Sequence, residues 1–509
     1  MPTNPKSIEV SPMDDFNQAL VSNVRPPDWV NPNPASRYNL VVIGGGTAGL
    51  ICAAGAAGLG AKVALIEKRL LGGDCLNYGC VPSKSIIRSA RVIAEVNKSS
   101  QYGVSVPPGA RVDFGEVMKR MRSIRSQISA HDSAKRFRDL GVDVFLGEAH
   151  FLDSHTIQVG GKNLRFRKAV IATGARPVVP PLEGLAEAGF LTNETLFSLA
   201  ELPKRFGIIG AGPIGCEMAQ TFRRFGSEVT IFDMAPQILG REDPDAAKIL
   251  QFKFEKEGIK ILLEAKLLRI TQEQLGKVIH YEKEGKAQTA VVDEILMGVG
   301  RAPNIEGLNL DLIGIKHDPK KGVEVNDSLQ TSLPHVYAAG DICLAPKFTH
   351  TAEASAKIVI QNALFGGRKK FSDLVIPWCT YTDPEIAHVG MYEKEAQEKG
   401  IAVETFFHSL KEVDRAVTDG EEEGFIKVHI KKGTDKILGT TIVAKHAGEM
   451  ISEVTLAIEA KIGLKTIANV IHPYPTQAEG IKAAANAYNR TRLKPWLKKL
   501  FTRWFEWRR

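Results

Sequence analysis

The chain has 509 residues, 44% hydrophobic and 24% charged, a composition that supports several domains with sizeable cores and excludes disordered, collagenous and disulfide-scaffold classes. Six cysteines suit a reducing compartment such as the cytoplasm, and without a run of 18 apolar residues no membrane-spanning helix is expected. The net charge is +8, but residues 490–509 carry +7 of it, so the nearly neutral body argues against nucleic-acid binding.

In chain order, Met1 to Arg37 is polar and rich in proline, without the apolar stretch of a secretory signal, and reads as a flexible arm. Tyr38 to Ile43 is a short apolar run of the kind that forms a buried parallel strand. Gly44-Gly45-Gly46-Thr47-Ala48-Gly49 follows, then a small-residue helix, then Val63 to Ile66 with Glu67 at its end. The same grammar returns at Phe206 to Asp233, around Gly210-Ala211-Gly212-Pro213-Ile214-Gly215. In both units the acid lies 18 residues after the last glycine.

Such a turn needs one glycine to bend, one to let backbone approach a pyrophosphate, and one to let helix meet strand. The helix start offers N–H groups and a positive dipole end to phosphates, and the acid takes ribose hydroxyls. One copy alone reads equally as a glycine-rich turn. Two copies in matching contexts predict two dinucleotide sites, and hence electrons passing between two cofactors.

Between the first strand pair and the second unit lies Gly73-Asp74-Cys75-Leu76-Asn77-Tyr78-Gly79-Cys80-Val81-Pro82-Ser83-Lys84. A helical pattern from Val81 puts Cys80 near a helix start, with Lys84 one turn along; both favour the thiolate. A thiolate held against an electron carrier suits a dithiol–disulfide relay. The alternatives are two buried inert thiols or half a zinc site, and no second cysteine pair completes four zinc ligands.

With these motifs the sequence resembles the flavin-dependent pyridine nucleotide–disulfide oxidoreductases, from about Tyr38 to Tyr488. The resemblance also rests on Ala172-Thr173-Gly174, Gly298 to Asn304, Thr331 to Tyr337 with Ala338-Ala339-Gly340-Asp341, and Tyr381 to Glu385. It implies an α/β fold with two Rossmann-like domains and a C-terminal α+β dimerisation domain. The expected boundaries are 38–184 and 298–370 for FAD, 185–297 for NAD(P), 371–488 for the interface, and 489–509 for a basic tail.

The resemblance assigns Gly44, Gly46, Gly49, Glu67, Lys84, Thr173, Gly174 and Asp341 to FAD, and Gly210, Gly212, Gly215 and Asp233 to the nicotinamide nucleotide. Cys80 becomes the charge-transfer thiolate and Cys75 the interchange thiol. Lys84 and Glu217 match an ion pair beside the flavin, the alternative being a solvated surface contact. A homodimer is implied, because the end of one chain completes the other's active site. Asp233 repels a 2′-phosphate, so NADH is expected ahead of NADPH, although Arg241 lies nearby in sequence.

The chain departs from the disulfide-reducing pattern at Ile471-His472-Pro473-Tyr474-Pro475-Thr476-Gln477-Ala478-Glu479. Counting back five from Glu479 gives Tyr474 where those members have their proton-handling histidine. His472 falls two places early and reads as a structural or rim residue. Deprotonating a tyrosine at pH 7 costs about 4 kcal/mol, so Tyr474 donates a hydrogen bond or packs rather than acting as a base. This tyrosine is similar to that of mercuric reductases, whose acceptor needs no leaving-thiol proton.

Hg(II) is therefore expected as substrate at Cys75 and Cys80, with no structural metal. The absence of cysteines after Cys379 departs from the mercuric reductase pattern. The alternatives are a dihydrolipoyl dehydrogenase, another disulfide or quinone reductase, or a membrane-docked flavoprotein acting through a partner. Finally, Leu493, Trp496, Leu497, Leu500, Phe501 and Trp504 repeat at helical spacing amid lysine and arginine. That tail predicts peripheral contact with anionic lipid on the inner membrane face; the alternative is packing on the body or the dimer partner.

Overall fold

Five of the six residues of Tyr38–Ile43 are buried, as a strand covered on both faces requires. In the computed structural model, which describes residues 10–509, this strand lies inside a seven-stranded sheet. Val63–Glu67, Asp143–Leu146, Lys162–Ile171 and Val336–Ala338 continue it in parallel. Ala149–Asp153 and Thr156–Val159 extend it as an antiparallel meander. The repeated unit forms a separate four-stranded parallel sheet of Arg205–Ile209, Glu228–Phe232, Lys260–Leu262 and Glu294–Met297.

The small-residue helix Thr47–Gly58 packs against Thr349–Phe365. A Cβ on Gly55 would lie 2.7 Å from Ile360 Cδ1, so glycine there sets how closely the two helices approach. This contact brings a segment of late sequence beside the first glycine turn.

By its contacts the chain divides into two units. One runs to Pro236 and resumes over Glu257–Leu374; the other holds Gln237–Lys256 and Val375–Arg509. Both parallel sheets lie in the first unit. The second has a five-stranded antiparallel sheet, with Ala447–Glu459 and Glu479–Thr491 packed against it, which is the expected α+β region.

Residues 237–256 depart from the expected boundary of the second dinucleotide domain. Within the second unit Lys427 Nζ donates to Asp243 at 2.8 Å and to Asp245 at 2.6 Å. Trp378 Nε1 and Tyr392 Oη donate to the Glu242 carboxylate at 2.8 and 2.6 Å. Largely buried ion pairs and charge-assisted bonds of this kind hold a segment to the unit that completes them.

The expectation of a flexible arm over residues 1–37 needs correction, its first nine residues lying outside the described ones. Asp15–Val24 is a helix, N-capped by Asp14, whose Oδ1 accepts from Asn17 N at 3.0 Å. Leu20 and Val24, one turn apart, are buried in the first unit's core. Asn17 Oδ1 accepts from Arg125, which also donates to the Asn77 carbonyl, at 2.7 and 2.8 Å. Proline density concealed a capped, amphipathic turn whose stability comes from packing rather than propensity.

Candidate active site

Each glycine turn is shaped by a backbone approach that no side chain allows. A Cβ on Gly49 would lie 1.8 Å from the Gly44 carbonyl oxygen, and one on Gly215 would lie 1.9 Å from that of Gly210. Gly46 and Gly212 precede the helices Thr47–Gly58 and Pro213–Phe225 without a side-chain cap, so both helix starts keep backbone donors for a ligand. Around Gly212 there is open space where a Cβ would stand.

The two acids adopt the same geometry. Glu67 accepts from Gly45 N and Arg69 N, both at 2.6 Å. Asp233 accepts from Ala211 N at 2.6 Å and Ala235 N at 2.8 Å. Each carboxylate therefore ties its glycine turn to the end of the neighbouring strand. Burial raises the Glu67 pKa, against the two backbone bonds that lower it.

Cys75 lies in the short helix Gly73–Asn77, and Cys80 begins the helix Cys80–Lys98. Both are thiols here, Cys80 exposed and Cys75 partly buried. They are hydrogen-bonded to each other, and Cys80 Sγ lies 3.3 Å from Thr349 Oγ1. The bond from Cys75 lowers the Cys80 pKa to about 6, helped by Thr349 and by the charge of Lys84. The same bond, with burial, pushes the Cys75 thiol up. Of the two sulfurs, Cys80 is therefore the one that ionises more readily.

Lys84 Nζ meets Glu217 Oε2 at 2.8 Å, with the glutamate almost wholly buried. This pair joins the helix of Cys80 to the helix that follows the second glycine turn. Thr173 Oγ1 donates to the Asn304 carbonyl at 2.8 Å, and Asn304 Nδ2 returns a bond to the Thr173 carbonyl at 2.9 Å. Arg301 bonds the Asp74 carboxylate beside Cys75, and its Nε lies 3.7 Å from Asp341 Oδ2.

In the second unit Tyr474 is exposed and its hydroxyl donates to Asp414 Oδ2 at 2.9 Å. That bond and the Asp414 charge raise its pKa, so the phenol stays protonated. Glu479 is the first residue of Glu479–Thr491. His472 is turned away into the fold, its side chain 5% exposed and its Nε2 2.9 Å from Glu453 Oε1.

Residues 38–356 match the family model described as pyridine nucleotide-disulphide oxidoreductase, and residues 376–485 match the dimerisation domain of the same family. The chain belongs to the pyridine nucleotide-disulphide oxidoreductases. It is 34% identical to a mercuric reductase of Staphylococcus aureus over 461 residues, 91% of this chain and 84% of that one. It is also 34% identical to a dihydrolipoyl dehydrogenase of Thermus scotoductus, covering 89% of this chain and 98% of that one. Among solved structures it is similar to the Cu(II) complex of the HOCl-induced flavoprotein disulfide reductase RclA from Escherichia coli. There the TM-score is 0.78 at 28% identity, covering 87% of this chain and 98% of that one.

The family is FAD-dependent and uses a pyridine nucleotide, and the first unit's residues fit FAD. A Cβ on Gly73 would lie 2.7 Å from Gly46 Cα, so the redox helix closes tightly over the first glycine turn. Arg301 Nε is buried without a hydrogen-bond acceptor, next to the Asp341 carboxylate. An orphaned donor beside a half-buried acid is a place for a polar cofactor chain.

Sequence reasoning missed Thr349 as a neighbour of Cys80 and gave Arg301 a motif but no role. Arg301 was findable as the charged residue of its glycine-flanked segment. Thr349 had only its position, shortly after Gly340-Asp341, to mark it.

Proposed function

We propose that the enzyme passes two electrons from NADH through FAD to the Cys75–Cys80 pair, and from there to a thiophilic metal ion of the Hg(II) type. The observation that carries this reading is Tyr474. Held protonated by Asp414, it stands in sequence where disulfide-reducing members have a base, and His472 is engaged with Glu453. An acceptor bound by two thiolates requires no proton on a departing sulfur.

Bound FAD supplies the two-electron conduit between nicotinamide and disulfide. The residues do the rest. NADH becomes NAD⁺; the S–S bond breaks, leaving a thiolate on Cys80 and a thiol on Cys75. Thr349, Lys84 and the helix start stabilise the thiolate, while Cys75 holds the proton. Lys84 and Glu217 join the two dinucleotide regions. With Hg(II), each NADH yields NAD⁺, a proton and one Hg(0).

Asp233 favours NADH, since its carboxylate is anchored where a 2′-phosphate would meet negative charge. A homodimer would bring Tyr474 and Glu479 of one protomer to the thiols of the other, and six cysteines in 509 residues suit the cytoplasm. A dihydrolipoyl dehydrogenase is the second reading, favoured by the equal 34% identity and the near-complete coverage of that relative. A screen of Hg(II), lipoamide, glutathione disulfide and a quinone with NADH, alongside Cys75→Ser, decides between them. Lipoamide as the best acceptor would replace the metal-ion reading.

A further inference from the structure

The helix Glu479–Thr491 buries Ile481, Ala484, Ala485 and Tyr488 in the core of the second unit. The next helix, Pro495–Trp507, buries nothing. It starts cleanly, with Pro495 in the first turn, where the missing N–H costs least. Among the described residues its side-chain contacts stay local. Thr502 bonds the Lys498 carbonyl, Trp504 and Trp507 lie 5.4 Å apart, and Arg508 covers Trp504.

This exposed helix is strongly two-faced. Trp496, Leu500, Trp504 and Trp507 follow one another at steps of four, four and three, a single stripe with Leu493 and Leu497 on its line. Trp496 is 61% exposed and Trp507 77%. Lys498 and Lys499 lie off this stripe and Arg503 at its edge, and Phe501 and Phe505 add exposed aromatic surface beside it. Lys494, Arg508 and Arg509 stand at the ends, and Glu506 is the only acid.

We propose that this helix docks the enzyme on an anionic phospholipid surface. Its apolar stripe requires a cover, and its six cations require an anionic one. Pairing with the same helix of a second copy covers the stripe but sets cation against cation. The preceding 489 residues carry a net charge of only +1 and supply no overall counter-charge. A lipid surface satisfies both faces: tryptophans at the headgroup boundary, lysines and arginines among phosphates. Thirteen residues span about 20 Å, short of the roughly 30 Å hydrocarbon layer, so the helix lies in the interface. No described helix is long and apolar enough to cross a membrane. The inference is independent of the electron acceptor.

The test is co-sedimentation of the FAD-loaded full chain with phosphatidylglycerol vesicles and with phosphatidylcholine vesicles. Expected is binding to the anionic vesicles at low salt, little to the neutral ones, and a steep loss at high salt. Lys498→Glu with Lys499→Glu should weaken binding at least about tenfold. Trp496→Ala with Trp504→Ala should weaken it similarly and reduce the blue shift of tryptophan emission to what Trp507 alone supplies. A chain ending at Arg490 should fail to bind, yet keep NADH-dependent reduction of a dye acceptor. Equal sedimentation of truncated and full chains overturns the proposal. So does absence of vesicle binding, including the case where truncation instead lowers the oligomeric mass and assigns the helix to a second copy.

Discussion

Thr349 Oγ1 lies 3.3 Å from Cys80 Sγ, across 269 positions of sequence. The threonine begins the helix Thr349–Phe365, and the cysteine begins Cys80–Lys98. Two helix starts and a hydroxyl therefore converge on one sulfur. The bond from Cys75 is the largest cause of the lowered Cys80 pKa, and this hydroxyl and the Lys84 charge add to it, while the same bond raises Cys75.

Two-electron reduction should produce a long-wavelength charge-transfer band that depends on the Cys80 thiolate. A thiol pKa lowered to about 6 keeps the thiolate above that pH, so the band should fade as pH falls through 6. Cys80→Ser should abolish the band while FAD stays bound. Thr349→Val removes one hydrogen bond to the charged form and should raise the midpoint by about one pH unit. An absorbance titration of the reduced enzyme reads both effects, and an unmoved midpoint in Thr349→Val would remove the threonine from this role.

Tyr474 should matter to the acceptor and not to the nucleotide. Tyr474→Phe should lower Hg(II) turnover about tenfold or more while stopped-flow reduction by NADH stays nearly unchanged. Tyr474→His should raise disulfide reductase activity, because a group of pKa near 6.5 supplies the missing proton handling. Wild-type behaviour of both variants with every acceptor would leave Tyr474 without a functional part.

Nucleotide choice should follow Asp233. The wild type should show higher kcat/KM with NADH than with NADPH. Asp233→Ser removes the repelling charge and loosens the turn that Asp233 holds through Ala211 and Ala235. It should narrow the NADH preference by about tenfold, mainly through KM. A wild-type preference for NADPH would overturn this reading.

The N-terminal helix should contribute to folding stability. Leu20→Ala leaves a cavity at a residue that is 1% exposed, and should cost about 2–4 kcal/mol. Thermal unfolding followed by flavin release should shift to lower temperature. An unchanged transition would show that the helix does not contribute to the cooperative core.

The dinucleotide folds were legible because their physics is local. Gly44 to Gly49 and Gly210 to Gly215 each combine a bend, a close approach and a helix start within six residues, and Glu67 and Asp233 follow at a constant interval. The amphipathic tail was legible because a helix presents its face at fixed sequence steps, and the cysteine pair because its two members are close in sequence although they lie in successive helices. What sequence spacing could not carry were contacts closed over long loops. Thr349 reaches Cys80, Arg301 reaches Asp74 and Asp341, Arg125 joins Asn17 to Asn77, and Lys427 draws Asp243 and Asp245 into its unit. Each depends on how packed elements bring distant backbone together, and such contacts leave no period in the sequence because their geometry is set by the assembled core.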